Sequence, residues 1–221
     1  MQLGLGSVEP IATRIRGMDA GGPVVVETLV GEAVRSRLDA LAALRIAVFR
    51  DWPYLYAGDL GYEREYLETY AASPGSVVVL ARAGETVVGA STGLPLAQEG
   101  ATFQAPFLER GIDPERVFYC GESVLLPEYR GRGIGHAFFD AREAHAQVLG
   151  GVDWIAFAAV DRDAGDPRTP SGHRGNETFW GKRGYVRQPG MTMRLTWREV
   201  GVGDVAHPLT FWLRPLAGAA L

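Results

Sequence analysis

The sequence contains a single cysteine, Cys120, among 221 residues, so the chain cannot form an internal disulfide. This composition favours a reducing, cytoplasmic compartment. No apolar run approaches the roughly 20 residues that cross a bilayer. The N-terminal stretch MQLGLGSVEPIATRIRG also lacks the basic-then-apolar order of a signal peptide. We therefore expect a cytoplasmic protein without a membrane partner.

Positive charge is scarce as well, because 22 lysines and arginines face 26 aspartates and glutamates, for a net charge of −4. This balance argues against a general basic surface for nucleic acid. We expect no nucleic-acid partner, since one RGRG stretch at 130–133 is too little for an RNA-binding role. The 47% of hydrophobic residues is enough to bury a sizeable core.

The apolar patterns predict one α/β (α+β) domain over residues 23–215, with a mixed sheet and interspersed helices. Residues 1–22 read as a flexible lead-in or an extra strand, and 216–221 as a C-terminal tail. Strands are expected at 24–30, on both sides of a turn at 83–85, and at 117–126, 154–160, 190–200 and 207–216. Helices are expected at 32–50, 62–72, 134–149 and 176–184. Residues 97–116 read as an irregular insertion, and Gly121 as the place of a β-bulge.

The stretch LLPEYRGRGIGHAFFD at 125–140 places three glycines between a predicted strand and a predicted helix. Glycine lets a ligand approach the backbone closely, and the first amides of a helix attract anions. Two arginines add full charges at the same place, so the stretch indicates a phosphate or pyrophosphate site. The alternative is a structural turn whose arginines face water.

The spacing of these glycines matches neither of the two common nucleotide-binding loops. The glycines follow the pattern G-x-G-x-G, whereas the dinucleotide fingerprint is G-x-G-x-x-G, and Gly135 is followed by His136 rather than by Lys and Ser or Thr. Residues 130–135 instead read R-x-x-G-x-G and resemble the acetyl-CoA loop of the GNAT N-acetyltransferase family. The stretch FWGKRGY at 179–185 resembles the second motif of that family, and the order of elements from about 24 to 214 is similar.

The resemblance implies a fold in which the strands at 117–126 and 154–160 splay apart, with the pantetheine of acetyl-CoA lying in the opening. Acetyl-CoA is then a co-substrate, and no metal is implied. The residues that the resemblance assigns to the cofactor are Val124, Leu125, Leu126, Arg130, Gly131, Arg132, Gly133, Ile134, Gly135 and Trp180. It also implies that a free amide of the bulged strand, near Val124, stabilises the thioester oxygen.

Transfer to an amine needs a base for the amine proton, and it benefits from a proton donor for the leaving thiolate. Glu122, beside the predicted bulge, is the candidate base, with a strand-edge carboxylate paired to an arginine as the alternative. Many family members carry a tyrosine acid where this chain has Trp180, whose indole is no acid. Tyr119 and Tyr185 are the candidate replacements, each with an alternative role in packing.

The acceptor is expected between the connector at 52–62 and the loop at 161–175. Candidate contacts are Trp52, Tyr54 and Tyr56 from the first segment, and Arg168 and His173 from the second, which is equally compatible with a solvated loop. The partner is then a small-molecule or peptide amine. A CoA-binding module without catalysis stays open as the alternative, and the closing strands are compatible with a homodimer.

Overall fold

The computed structural model of the chain describes residues 13–15 and 22–216. The described strands are β1 (Thr13–Ile15), β2 (Val24–Leu29), β3 (Val77–Ala83), β4 (Thr86–Pro95), β5 (Val117–Tyr119), β6 (Ser123–Leu125), β7 (Trp154–Val160), β8 (Val186–Glu199) and β9 (Gly203–Pro215). The described α-helices are α1 (Glu32–Arg35), α2 (Leu38–Phe49), α3 (Leu60–Ala72), α4 (Ala101–Leu108), α5 (Ile134–Leu149) and α6 (Glu177–Lys182).

These strands form one mixed sheet in the order β1-β2-β3-β4-β5-β7-β9-β8, with β6 also paired to β4. Only β5 and β7 run parallel, and the other described pairs are antiparallel. Strands β5 and β6 are two halves of the predicted strand at 117–126, and residues 120–122 separate them. The mixed sheet flanked by helices confirms the predicted fold class.

Helices cover both faces of the sheet, as the alternation of buried side chains requires. One core contains Leu41 and Leu44 of α2 and Leu67 and Tyr70 of α3. The other contains Phe138 and Phe139 of α5, against the opposite face of the same strands. The two faces therefore have separate cores, with the bulge at 120–122 between them.

Several predicted elements have different bounds in the structure. The predicted helix at 32–50 is two helices, α1 and α2, because Arg37 has a non-helical backbone. The predicted irregular insertion at 97–116 contains α4, whose Pro106 suggested a loop but lies inside the helix and is buried. The two closing strands are longer than expected and pair as one hairpin.

Within the predicted lead-in, Thr13–Ile15 pairs with β2. Residues 1–12 and 16–21 lie outside the described residues, as does 217–221 of the predicted tail. Among the helices of the described part of the chain, none combines the length and apolar character that a membrane crossing requires.

Candidate active site

Strand β5 pairs along its whole length, but only with the first part of β7. Val117 to Tyr119 are in register with Trp154 to Ala156, and the amide of Cys120 donates to the carbonyl of Ala156 at 2.7 Å. Beyond this point β6 pairs with β4, while residues 157–160 of β7 pair only with β9. The edges of β6 and β7 that face each other therefore lack a strand partner within the described chain, and the two strands diverge.

The register of β6 decides which backbone groups face this opening. Thr92 donates its amide to the carbonyl of Glu122, and Leu126 donates its amide to the carbonyl of Val88, both at 3.0 Å. Since backbone groups alternate in direction along an antiparallel strand, even-numbered residues of this stretch face β4 and odd-numbered ones face away. Val124 is therefore not the free amide expected from the sequence. Ser123 and Leu125 direct their amides toward the opening.

The glycine loop leaves a row of backbone amides without partners. Helix α5 starts after Gly133, which has a left-handed backbone (φ 82°) and offers no side-chain cap. No acidic residue occupies the first turn, and the amides of residues 131–136 make no hydrogen bond within the described chain. A Cβ added at Gly131 or Gly133 would meet nothing within 4 Å. The loop thus presents an open backbone surface with the partial positive charge of a helix N-terminus.

Both arginines of the loop fold back onto its own backbone. Arg130 Nε donates to the carbonyl of Leu125 at 3.2 Å, and Arg132 Nη2 donates to the carbonyl of Glu128 at 2.9 Å. The guanidinium of Arg132 also lies over the ring of Tyr129, 5.1 Å from its centroid. Their charges therefore stay close to the amide row.

Glu122 lies at the bulge with a nearly buried side chain that is 6% exposed. Its Oε1 is 2.6 Å from Nη1 of Arg45 in α2, and its Oε2 accepts a hydrogen bond from the hydroxyl of Tyr66 in α3 at 3.1 Å. Arg45 also pairs with Glu63, a buried carboxylate of α3. Two carboxylates thus share one buried arginine in the core of one face.

Tyrosine side chains adjoin the cluster of Arg45, Glu63 and Glu122. The hydroxyls of Tyr66 and Tyr70 lie 3.0 Å apart. Burial and then the charge of Glu122 raise the pKa of both phenols, and the same two causes raise the pKa of Tyr54 to about 12. All three phenols are consequently protonated at neutral pH.

Arg142 fixes the bulge from the opposite face of the sheet. Its side chain is 2% exposed, and its Nη1 donates to the carbonyls of Glu122 at 3.2 Å and of Thr92 at 3.4 Å. Among the described residues it has no carboxylate partner, and its Nε is buried without a hydrogen bond. A full positive charge therefore lies directly beneath the diverging strands.

The three predicted catalytic residues do not lie together. Tyr119 is buried on the same face as Glu122, against Phe103 and Phe211, and burial raises its pKa. Tyr185 lies in the other core, where its hydroxyl donates to Oε1 of Glu143 at 3.1 Å. That hydroxyl is thus bonded to a carboxylate of α5, and the role of Tyr185 as a proton donor stays a prediction.

Trp180 and Cys120 also lie on the α5 face. The ring of Trp180 packs against Phe157 of the diverging strand β7 and against Trp212, with centroids 5.0 and 5.2 Å away. Cys120 is 1% exposed, and burial raises the pKa of its thiol, which makes it a poor nucleophile. No cluster of three or more potential metal ligands occurs in the described part of the chain.

The two predicted acceptor segments are joined to each other. Arg162 donates to the carbonyls of Pro53 and Tyr54 at 2.6 and 3.0 Å and pairs with Glu199 at 2.7 Å. The ring of Trp52 meets that of His173 edge-on at 6.1 Å. The segments thus form one wall at the end of β8.

The predicted acceptor residues in this wall differ in the partners that their side chains already have. Arg168 pairs with Asp166 at 2.6 Å and with Glu199 at 3.1 Å, so its charge is already balanced. Tyr54 packs between Phe49 and Trp197, and Tyr56 forms an isolated bridge with Glu199. Of these residues, Tyr54 is the one whose pKa is raised by burial and then by the charge of Glu122.

Sequence reasoning missed Arg45, Tyr66, Tyr70, Glu99 and Arg142. A signal was present for Arg45, because it interrupts the apolar face of LDALAALRIAVF, where a charge needs a buried partner. Tyr66 and Tyr70 are four residues apart and so share one face of α3. Glu99 and Arg142 carried no local signal.

Diverging strands beside an uncapped glycine loop, with a buried carboxylate at the bulge, define the acetyltransferase class expected from the sequence. A sequence model of the acetyltransferase (GNAT) family matches residues 42–167, which is more than half of the chain. The chain belongs to this family. A search by sequence among curated proteins returned no match.

Solved structures share this fold at low sequence identity. The yncA protein of Salmonella typhimurium, solved with its cofactor acetyl-CoA, is 12% identical with a TM-score of 0.54, over 89% of this chain and 96% of that one. The ribosomal-protein-alanine N-acetyltransferase of Brucella melitensis is 16% identical with a TM-score of 0.56, over 86% and 99%. An aminoglycoside 6'-N-acetyltransferase complexed with coenzyme A is 17% identical with a TM-score of 0.53, over 83% and 92%.

Proposed function

We propose that the chain transfers an acetyl group from acetyl-CoA to an amine, by direct attack of the amine on the thioester in a ternary complex. The observation that carries the proposal is the opening between β6 and β7, which leads from the amide row at 131–136 to Glu122. The amide row suits a pyrophosphate, and the opening suits an extended pantetheine arm. The likeness to structures that contain acetyl-CoA or CoA supports this donor.

The acceptor side suits an amine. A free amine with a pKa near 10.4 arrives mostly as a cation, and the cluster around Glu122 places two carboxylates beside the single guanidinium of Arg45. Glu122 then takes the proton that the amine must lose. The amine nitrogen bonds to the carbonyl carbon, and the carbon–sulfur bond breaks to release CoA thiolate.

The charge that develops on the thioester has partners at the bulge. The amides of Ser123 and Leu125 point into the opening and can donate to the carbonyl oxygen. Tyr119 lies on the face of Glu122 and stays protonated, so we propose it as the proton donor to the leaving thiolate. Trp180 contributes an aromatic surface beside β7 rather than an acid.

Calorimetry with a charge-reversal variant tests the donor site. Gly133→Glu places a carboxylate in the amide row and is expected to weaken acetyl-CoA binding at least about tenfold, because like charges repel the pyrophosphate. Gly84→Glu is the matched control, since Gly84 also has a positive φ (60°) and open space around its Cβ, but lies at the β3–β4 turn. Equal affinities for the two variants would contradict the assigned site.

Turnover is tested by measuring the release of free CoA thiol with a panel of amines. Glu122→Gln is expected to lower kcat by about 10²–10⁴-fold, the usual contribution of a general base, with acetyl-CoA affinity unchanged. Binding of acetyl-CoA without thiol release from any amine would instead favour a non-catalytic CoA-binding module.

A further inference from the structure

Arg142 is a buried cation of α5 that the reaction above leaves without a role. Its guanidinium lies over the ring of Phe139, 4.7 Å from the centroid, and among the described residues it has no carboxylate partner. Its Nη1 donates to the backbone carbonyls of Glu122 and Thr92, at 3.2 and 3.4 Å. The charge of Arg142 is therefore directed at the backbone of the bulge.

The contact exceeds what the carbonyl of Glu122 needs. A carbonyl oxygen has two lone pairs. Two neutral donors already reach this oxygen, namely the amide of Thr92 at 3.0 Å and the hydroxyl of Ser91 at 2.8 Å. Burying a cation without a carboxylate partner lowers stability, which a neutral side chain would avoid. A purely structural role therefore does not account for the charge of Arg142.

The carbonyl that Arg142 contacts shares a peptide unit with an amide of the opening. This unit joins Glu122 to Ser123, and in a trans peptide the C=O and N–H bonds point in opposite directions. The carbonyl points toward β4, where it accepts from Thr92, so the Ser123 amide points into the opening between β6 and β7. One end of the unit thus contacts the buried cation, while the other faces the proposed place of the thioester.

Hydrogen bonds at the carbonyl strengthen the amide at the other end of the unit. Because the two groups are conjugated, electron density drawn toward the oxygen makes the N–H a stronger donor. A charged donor has a larger effect than a neutral one. No described side chain donates to the carbonyl of Val124, whose peptide unit carries the Leu125 amide. Of the two amides that face the opening, that of Ser123 is therefore the stronger donor.

We propose that Arg142 is a positioning residue that acts through the peptide between Glu122 and Ser123 and makes the Ser123 amide the principal donor to the thioester oxygen. This inference rests on the proposed acetyl transfer. As the amine nitrogen bonds to the carbonyl carbon, one C=O electron pair moves onto the oxygen, where the Ser123 amide binds it. That pair reforms the carbonyl as the carbon–sulfur bond breaks, and the amine proton passes to Glu122. Arg142 contacts no reacting atom and exchanges no proton.

The polarisation of the thioester can be measured without turnover. Acetyl-CoA with carbon-13 at the acetyl carbonyl is bound to the full chain without an amine, and difference infrared spectroscopy records the carbonyl stretch. In the parent chain the stretch is expected at lower wavenumber than in free acetyl-CoA, because the amide polarises the C=O bond. Arg142→Met moves it back toward the free value, and Arg142→Lys, which keeps a positive charge, moves it back less. A bound stretch in Arg142→Met equal to that of the parent would overturn the inference.

Two further variants separate polarisation from damage to the fold. Ser91→Ala removes a neutral donor from the same carbonyl, so the stretch moves toward the free value by less than in Arg142→Met. Arg82→Met removes a half-buried arginine of β3 that pairs with Glu27 at 2.7 Å, and it should leave the stretch unchanged. If Arg142→Met does not fold, Ser91→Ala carries the test, and a stretch equal to that of the parent would then overturn the inference. Equal shifts in Arg82→Met and Arg142→Met would overturn it as well.

Kinetics test the consequence for the reaction. Arg142→Met is expected to lower kcat about tenfold or more, because a weaker donor stabilises the charged oxygen less. Calorimetry should show unchanged affinity for acetyl-CoA, since the amide row at 131–136 stays intact. A loss of kcat with an unchanged carbonyl stretch would give Arg142 a structural role alone and overturn the inference, leaving acetyl transfer intact. A parent chain that binds no acetyl-CoA would overturn the proposed function and this inference with it.

Discussion

The bulge at residues 120–122 is held from both faces of the sheet. The carbonyl of Glu122 accepts from the amide of Thr92, from the hydroxyl of Ser91 at 2.8 Å and from Arg142 at 3.2 Å. With three donors on one carbonyl, the backbone beside the Glu122 side chain has little freedom. The carboxylate is thus presented from a rigid element, as a general base requires.

Gly121 is the residue of the bulge that tolerates least change. A Cβ there would lie 2.1 Å from the hydroxyl of Tyr70 and 2.7 Å from Oγ1 of Thr92. Gly121→Ala is therefore expected to lower the free energy of unfolding by about 1–3 kcal/mol, the usual loss from overpacking. It should also lower kcat, because the Tyr70 hydroxyl contacts that of Tyr66, which is hydrogen-bonded to Glu122. Urea unfolding and thiol-release kinetics measure the two effects.

The control for this variant is Gly181→Ala. Gly181 lies in α6 with nothing within 4 Å of an added Cβ, so alanine should stabilise the chain by about 0.5–1 kcal/mol. Tyr70→Phe removes the hydroxyl that Gly121→Ala meets, so the double variant should lose less stability than the sum of the single variants. If the two stability losses were strictly additive, a clash between the added Cβ at position 121 and the Tyr70 hydroxyl would be contradicted.

Single site residues could be predicted from the sequence where the signal lies in the neighbouring residues. Glu122 was identified as the candidate base because it follows a glycine within a strand. Glu99 was not, because its raised pKa depends on its burial and then on the charge of Glu122, and both arise only in the folded chain. Arg142 was missed for a similar reason, since its partners are the carbonyls of Thr92 and Glu122 on other elements.

At the scale of elements, one buried arginine joins α2, α3 and the bulge. Arg45→Met leaves Glu63 and Glu122 buried without a cation. The expected loss is about 3–5 kcal/mol of unfolding free energy near neutral pH. Chemical denaturation measures it.

Arg64→Ala is the matched control, because Arg64 of α3 pairs with Asp39 of α2 at 2.6 Å in an exposed position. An exposed pair contributes less than about 1 kcal/mol. Equal losses of unfolding free energy for Arg45→Met and Arg64→Ala would show that the buried ion pairs of Arg45 stabilise the chain no more than an exposed pair.

The sequence predicted elements well where one signal dominated. Helix α5 was placed at 134–149 with its observed bounds, since a glycine loop marks its start and one apolar stripe runs along it. Helix α4 was read as loop because Pro106 and the flanking glycines mask a short helix that packing stabilises. The pairing partner of each half of the bulged strand could not be read at all, since register depends on distant strands.

At the scale of the molecule, the groups assigned to the proposed reaction lie on the two faces of the sheet. The amide row of α5 and the aromatic surface of Trp180 belong to one face, and the carboxylates and phenols around Glu122 belong to the other. The opening between β6 and β7 connects them. A donor bound on one face can thus meet an acceptor on the other only beside the bulge.

The chain should become less stable as pH rises from about 4.5 toward 7, and Glu99 should be a main cause. Its folded pKa of about 7 exceeds its ordinary value of 4.5, so between these values the folded chain retains a proton that the unfolded chain has lost. The stabilisation is present in full below about pH 4.5 and is lost as pH approaches 7. The difference amounts to up to about 3 kcal/mol.

Glu99→Gln should therefore raise the free energy of unfolding at pH 8 by up to about 3 kcal/mol, because glutamine places no charge in the buried site. At pH 5 the same variant should be nearly neutral, since the parent carboxyl is already protonated there. Urea unfolding of both chains at the two pH values measures this difference, with Glu109→Gln as the exposed control expected to change little at either pH. A stabilisation of the same size at pH 5 and pH 8 would show that packing, rather than the buried charge of Glu99, sets the effect.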